Sequence, residues 1–573
     1  MHFELLDWII LIIFFAITLG IGIKYAASAG KNLTEFFLGG RKLPWYIAGT
    51  SMVATTFAAD TPLLVAGIVA QNGISGNWIW WNMVLGGMLT TFFFARYWRR
   101  SGVMTEVELI ELRYGGKAAK FLRGFKAIYL GVFLNCIILG WVNLAMVKIL
   151  EGFFGLDPQT SLLFVAIAMI FVAIYSAISG LMGVAVTDAV QFIIAMIGCT
   201  ILAILVLKSD KIGGLTGLAE KLPAGSLNFF PSLSNNVSNT NVMTIGLGAF
   251  FARIGVQWWS SWYPGAEPGG GGYIAQRMMS CKDEKNAVFA TLFFQIAHYC
   301  IRPWPWILVG LSAIILYPEL ASNQKELGYV YAMRDFLPNG LRGLLLAAFF
   351  AAYMSTISTQ LNWGASYLVN DLYSRFITKS ENEKSLVKVS RIATIVLMIL
   401  SLYITSILGT IENAWNFIIE CGAGLGLVLI LRWYWWRINV WSEIVATIVP
   451  FIAYAISIFI LKFEFPHSFF FTVSITTISW VLVTFLTKPE SNQILQQFYD
   501  KVRPAGAWGK FSKESKQSLV APFVCWIAGI ALVYNVLFGI GNILFYNQVY
   551  LLINTAIVFL SILILNRFMN QKE

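Results

Sequence analysis

Four hydroxyl side chains fall within five residues of the stretch AAYMSTISTQLN, residues 351–362: Ser355, Thr356, Ser358 and Thr359. The flanking sequence is apolar enough to be a membrane helix. On such a helix residues 355, 358 and 359 share one face, with Ala352 a turn earlier and Thr356 beside them, so hydroxyl and carbonyl oxygens converge on one spot. A hard cation such as sodium takes several neutral or carboxylate oxygens, and this cluster can offer them. The competing reading is that the hydroxyls bond back to carbonyls four residues earlier or ease close helix packing. Four in five residues weigh against it. Asp188, in SGLMGVAVTDAVQF, is a carboxylate able to neutralise a second cation, or else a cap at the cytoplasmic end of its helix.

Carbonyl ligands become available where a helix is interrupted. In PWYIAGTSMVATTFAADTPLLVAGIVAQNG, Pro62 removes a backbone donor and biases Thr61 away from helical geometry, which predicts a break at residues 58–62. NVMTIGLGAFFARIGVQWWSSWYPGAEPGGGGYIAQR predicts a second at residues 263–272. Unpaired backbone at membrane depth is tolerated only against protein or a water-lined cavity. A single proline kinks many membrane helices without consequence for function. Two interrupted spans about five apart occupy matching positions of two five-helix halves, the pattern of an inverted-repeat secondary transporter with its site at the breaks.

The elements that must position these residues are membrane helices. Of 573 residues 58% are hydrophobic and 12% charged, and the mean hydropathy is +0.71, outside the range of soluble domains. About fifteen windows of roughly 20 apolar residues recur, starting near 7, 44, 77, 122, 160, 184, 241, 286, 340, 388, 413, 439, 468, 521 and 547. The opening MHFELLDW has no basic n-region, so the first window reads as a retained helix. With the N-terminus outside and the C-terminus cytoplasmic, about thirty of the 40 Lys and Arg residues fall in cytoplasmic segments, as the positive-inside rule requires. The net charge of +11 then needs no nucleic acid.

The six cysteines form no CxxC pair and read as helix core residues. His2, His298 and His467 are too scattered for haem or transition-metal ligation. The longest loops, near 208–241 and 488–520, are too short for a catalytic domain, and no nucleophile–base pair or metal cluster is present, so the chain is not expected to be an enzyme. N-x-S/T matches occur both outside, at Asn236, and inside, at Asn32, and carry no weight. The rival classes are a cation channel and a transporter-like sensor; for the latter the tail NRFMNQKE leaves no room for a signalling domain.

Four segments, FFLGGRKLPWYIAGTSMVA, ISGLMGVAVTDAVQF, GGYIAQRMMSCKD and STISTQLNWGASYLVNDLY, together resemble the sodium/solute symporter family, which includes sodium/glucose, sodium/proline and sodium/sialic acid transporters. The likeness spans about residues 36–430. It implies an all-α polytopic leucine-transporter-type fold of two inverted five-helix repeats, with one extra N-terminal and about four extra C-terminal helices. The expected divisions are 1–35, 36–210, 211–435 and 436–573, the last with a basic cytoplasmic loop near 488–520. It also implies a conserved sodium site from the carbonyls of Ala54, Phe57 and Ala352 with the hydroxyls of Ser355 and Thr356. A second site, present in some members, would use Ser355, Ser358, Thr359 and Asp188. One or two Na+ ions would then be transported.

WYPGAEPGGGGY is longer and richer in Gly and Pro than the family's corresponding segment, so substrate residues must be argued locally. Facing the breaks, Asp60, Thr61, Trp81, Asn82, Asn135, Gln257, Trp258, Trp259 and Trp262 are the expected pocket residues. Trp faces stack on sugar rings or cations, and Asn, Gln and Asp bond hydroxyls, which favours a neutral polyhydroxylated solute such as a sugar. Arg253 or Arg302 would suit an amino acid or organic acid instead, unless paired with Glu267 or Asp60. Trp433, Trp435 and Trp436 read as interfacial anchors. The expectation is a monomeric, multi-pass sodium symporter of the cell membrane, importing its solute by alternating access.

Overall fold

The computed structural model describes residues 4–231, 243–263, 265–378, 382–408, 411–512 and 518–569. Asn236 and Pro264 lie outside them. Apolar runs with few Gly or Pro interruptions satisfy their backbone bonds internally, and the described chain is accordingly helical, with isolated bridges in place of any sheet. Among the described residues eleven helices are long and apolar enough to cross a bilayer, and a pair bent by 60° makes twelve. Numbering only the helices needed below, they are α1 (Leu5–Ala29), the bent pair α2 (Trp45–Thr55) and α3 (Asp60–Asn72), α4 (Ile74–Ser101), α5 (Gly116–Phe154) and α6 (Pro158–Leu207). Then come α7 (residues 247–260), α8 (Gly272–Ser280), α9 (Glu284–Leu316), α10 (Leu341–Ile377), α11 (Glu383–Ile407), α12 (Ile411–Cys421) and α13 (Gly426–Tyr434). Last are α14 (Val440–Ile460), α15 (His467–Leu486), α16 (Asn492–Val502), α17 (Val520–Leu544) and α18 (Gln548–Met569).

The 50 residues of α6 would reach about 75 Å if straight, more than twice a bilayer's hydrocarbon core. Gly180 turns the chain instead, at φ 60° and ψ −173°. The Tyr175 hydroxyl consequently meets the Gly183 carbonyl at 3.2 Å and the Thr187 hydroxyl. A Cβ here would also sit 2.8 Å from that of Ala29. The windows near 160 and 184 are thus two legs of α6, while those near 241 and 413 are covered by shorter helices, α7 with α8 and α12 with α13.

Depth in the bundle follows composition. Of α10's apolar window 89% is buried, against 11% for α18, so α10 is central and α18 presents its apolar surface outward. The six cysteines are buried and unbridged. The basic loop holds α16 and is tied to the bundle, with Ala505 N–H donating to the Tyr97 hydroxyl at 3.0 Å and Trp508 Nε1 to the Trp433 carbonyl at 2.7 Å. Trp433 itself is fully buried against Trp98, so it is a packing residue and not an interfacial anchor.

The first interruption lies at residues 56–59, upstream of the expected place. Thr61 is helical and Pro62 sits in the first turn of α3, where a missing N–H leaves no bond unmade. The second covers residues 261–271 and is pinned to the gap between α12 and α13 by an isolated bridge from Ser261 to Ala423.

Candidate functional site

At the first break, α2 ends with Phe57 N–H on the Ala54 carbonyl at 3.0 Å, and the chain stays non-helical to residue 59. The hydroxyl cluster of α10 packs against this end. Thr356 Oγ1 donates to the Thr55 carbonyl at 2.8 Å and lies 3.2 Å from the Ala352 carbonyl. Ala54, Phe57, Ala352, Ser355 and Thr356 are all buried, and Ser355 Oγ has no hydrogen-bond partner. An unpartnered hydroxyl oxygen beside the carbonyls at the end of a broken helix, each with a second lone pair, is a donor set that suits a sodium ion.

Around Asp188 the structure adds a charge that the sequence reading did not place there. Asp188 is fully buried inside the second leg of α6, eight residues past Gly180, and so does not cap a helix end. Its Oδ2 accepts the Ser51 hydroxyl at 2.5 Å and lies 3.6 Å from Arg277 Nη2, while Oδ1 has no partner. Arg277, on α8, also donates to Ser51 Oγ at 3.0 Å and to Thr359 Oγ1 at 2.6 Å. Thr359 meets Thr55 at 3.1 Å, and Ser358 Oγ is turned back to the Ser355 carbonyl at 3.2 Å. Asp188 therefore already faces a fixed guanidinium. The signal was in GGYIAQRMMSCKD: a buried arginine two turns into a helix needs a carboxylate, and Asp188 is that carboxylate.

Beside the hydroxyl cluster lies a cavity of about 100 Å³, walled by α3, α4, α5, α9, α10 and the second break. Of the nine expected pocket residues, Asp60 and Thr61 line it. The others do not. On α4 it is Trp80 and Met83 that face the cavity; Trp81 packs in an edge-on cluster with Trp78 and Phe538, and Asn82 bonds the carbonyls of Trp78 and Ile79 at 2.8 and 3.0 Å. Asn135 Nδ2 reaches the Gln360 carbonyl at 2.9 Å, tying α5 to α10. Gln257 bonds the Ile79 carbonyl at 3.2 Å, Trp258 faces Trp526, Trp259 bonds the Gly255 carbonyl at 2.8 Å, and Trp262 donates its backbone N–H to the Gly422 carbonyl at 3.1 Å. Asn82, Asn135, Gln257 and Trp259 thus serve helix packing, because a buried amide or indole is satisfied by neighbouring carbonyls, whereas Trp81 Nε1 is buried without a partner.

Some of the cavity residues that sequence reasoning missed sit one position away or on α9, and others come from α5, α8, α10 and α12. Tyr263, Tyr273, Trp141 and Trp415 supply aromatic faces, and Gln360 and His298 polar ones. Arg302 also lines the cavity. It donates to the Thr56 hydroxyl at 3.2 Å and to the His298 carbonyl at 3.1 Å, stacks on Trp306 at 5.4 Å, and has no carboxylate partner among the described residues. Asp60 Oδ1 is likewise unpartnered. Arg253 stacks on Phe465 at 5.0 Å, away from the cavity.

The family model described as Sodium:solute symporter family matches residues 36–449. A sodium/glucose cotransporter of Vibrio parahaemolyticus is 25% identical over 474 residues, covering 78% of this chain and 84% of that protein. The high-affinity proline transporter PutP of Bacillus subtilis is 27% identical over 495 residues, covering 83% and 97%. Among solved structures, a Na+-coupled sialic acid symporter in a substrate-bound outward-open state superposes with a TM-score of 0.68 at 20% identity, covering 86% of this chain and 99% of that one.

Proposed function

The chain belongs to the sodium:solute symporter family, a multi-pass transporter with sodium as its coupled ion and no enzymatic role, and we propose that it imports a small polar solute through the cavity between its broken helices. The observation that carries this is the contact of Thr356 Oγ1 with the Thr55 carbonyl, beside the unpartnered Ser355 hydroxyl. Sodium held by Ala54, Phe57, Ala352, Ser355 and Thr356 would bind α2 to α10 and so favour one arrangement of the broken helix. Coupling is then differential binding, and solute and sodium tighten each other equally. Each sodium moving inward through 100 mV contributes about 2.3 kcal/mol before any concentration gradient is counted. Asp188 with Ser355, Ser358 and Thr359 is the place for a second ion, which would share Asp188 with Arg277. The termini are assigned as N outside and C cytoplasmic on the Lys and Arg distribution.

Two solute classes fit the cavity. A sugar is supported by the aromatic faces of Trp80, Trp141 and Trp415. An amino acid or organic acid is supported by Arg302, a buried guanidinium without a carboxylate, and by Asp60 opposite in charge on the same wall. The second class carries more weight, because a neutral ligand would leave the buried Arg302 and Asp60 with only each other's longer-range field and no direct ion pair. Thermal unfolding of the detergent-purified chain in NaCl against choline chloride, with sugars, amino acids and carboxylic acids added singly, tests both levels. A sodium-specific rise enlarged by one class identifies it by linkage; no sodium-specific rise under any condition overturns the symport reading.

A further inference from the structure

The segment between α7 and α8 that departs from the family pattern carries a carboxylate used by neither sodium set. Glu267 is 3% exposed; its Oε2 accepts the Gly265 N–H at 3.0 Å and its Oε1 has no hydrogen-bond partner. A Cβ placed on Gly272 would lie 2.5 Å from that Oε1, so the unpartnered oxygen points at the first turn of α8. Glu106, from the turn between α4 and α5, reaches the same turn. It is 4% exposed and accepts the Gly272 N–H at 2.6 Å and the Tyr367 hydroxyl at 3.2 Å. A Cβ on Gly271 would sit 3.1 Å from both of its oxygens. Two carboxylates thus flank two successive glycines at the start of a nine-residue helix.

Nothing positive answers them. Among the described residues no ion pair reaches Glu267 or Glu106. Glu106 is the charged side chain whose field reaches Glu267. The other titratable groups facing it are the phenols of Tyr263, Tyr273 on α8 and Tyr367 on α10, which are uncharged near neutrality. Arg277 is engaged with Asp188 and Ser51, Arg432 on α13 with Glu443 at 3.3 Å, and Arg302 with His298 and Thr56. The start of one helix offers about half a positive charge, not two. Two carboxylates in one dry site cannot both stay ionised.

Glu106 Oε2 already accepts a short backbone N–H and a phenol O–H. Glu267 Oε1 accepts neither. A metal ion would need several converging oxygens, whereas Gly272 and the Trp363 ring, 3.6 Å from the Cβ that Gly272 lacks, close this spot. A proton needs one oxygen. We propose that Glu267 is a proton-binding site, separate from both sodium sets. Gly265, Ala266 and Tyr273 of the same stretch line the solute cavity, so Glu267 stands directly behind its wall. A shift of α8 that opens the cavity inward would hydrate Glu267 and release its proton. On the symport reading, sodium and this proton then favour the same closed-inside state and promote each other's binding.

The test uses the purified full-length chain. Infrared difference spectra between wild type and Glu267→Gln at pH 7 should show the carbonyl stretch of a protonated carboxylic acid that the variant lacks and that Glu267→Asp moves instead of abolishing. A wild type without such a band at pH 7, or a band that survives in Glu267→Gln, overturns the proposal. In weak buffer with a pH dye, NaCl but not choline chloride should draw in up to about one proton per wild-type molecule and none in Glu267→Gln. Equal uptake by both overturns the sodium–proton linkage. If NaCl neither stabilises wild type nor moves protons, it is the symport reading that fails, and the infrared band still decides the proton site.

Discussion

Replacing Thr356 by valine keeps a β-branched side chain of similar volume on α10 and removes one oxygen. In the fold that oxygen is the donor to the Thr55 carbonyl at 2.8 Å, a net contribution of about 1 kcal/mol to stability. For sodium the loss is larger, because a ligand oxygen interacts with a full charge: about 1.5–3 kcal/mol, or a weakening of about 10- to 150-fold. At a sodium concentration about 100 times its dissociation constant, wild type gains about 2.7 kcal/mol by linkage, whereas a variant about 30-fold weaker gains about 0.9 kcal/mol. The assay is a NaCl titration of thermal unfolding in detergent, with choline chloride holding ionic strength constant. The half-saturating concentration should rise by at least tenfold. If it stays within about twofold while the midpoint without sodium falls, then Thr356 only fastens α10 to α2 and the proposed ligand set is wrong.

Asp188→Asn leaves the buried Arg277 without its carboxylate, so the unfolding midpoint should fall by the equivalent of about 3–5 kcal/mol, and the double variant with Arg277→Gln should recover part of it. Simple addition of the two single losses would refute the pairing. Arg302→Gln should shift solute preference away from carboxylates with sodium half-saturation unchanged; identical solute ranking by thermal shift would remove Arg302 from recognition. In the connection between α4 and α5, burial pushes Glu111 up, but hydrogen bonds from Arg375 and Arg123 outweigh it and hold the carboxyl below its ordinary value of 4.5. The stability this confers is complete above pH 4.5 and is lost as pH falls through the lower folded value, so wild type and Glu111→Gln should converge in unfolding midpoint only in acid. A gap between them that does not narrow in acid would contradict this.

The windows and the two breaks were readable because hydropathy and backbone chemistry act locally: twenty apolar residues must cross, and proline or a glycine run must interrupt. The break at 56–59 was misplaced because proline was read as the point of rupture when it is tolerated as the first turn of the next helix. The hydroxyls of α10 stood out by spacing alone. The cavity wall did not, because choosing Trp80 over Trp81 requires the rotation of α4, and Tyr263 over Trp262 the path of the second break, and neighbouring helices set both. Arg302 was visible as a charge within the membrane, but the pairing of Arg277 with Asp188, 89 residues distant in sequence, is fixed only by tertiary packing.

The central claim is that sodium binding at the broken helix drives solute movement. Its most direct test is uptake of radioactive sodium into proteoliposomes loaded without sodium, with single solutes outside. The account predicts saturable sodium uptake that one solute class accelerates, and that is lost in Thr356→Val at the same sodium concentration. Solute entry that proceeds equally in choline chloride, or sodium entry indifferent to every solute and to Thr356→Val, would contradict it.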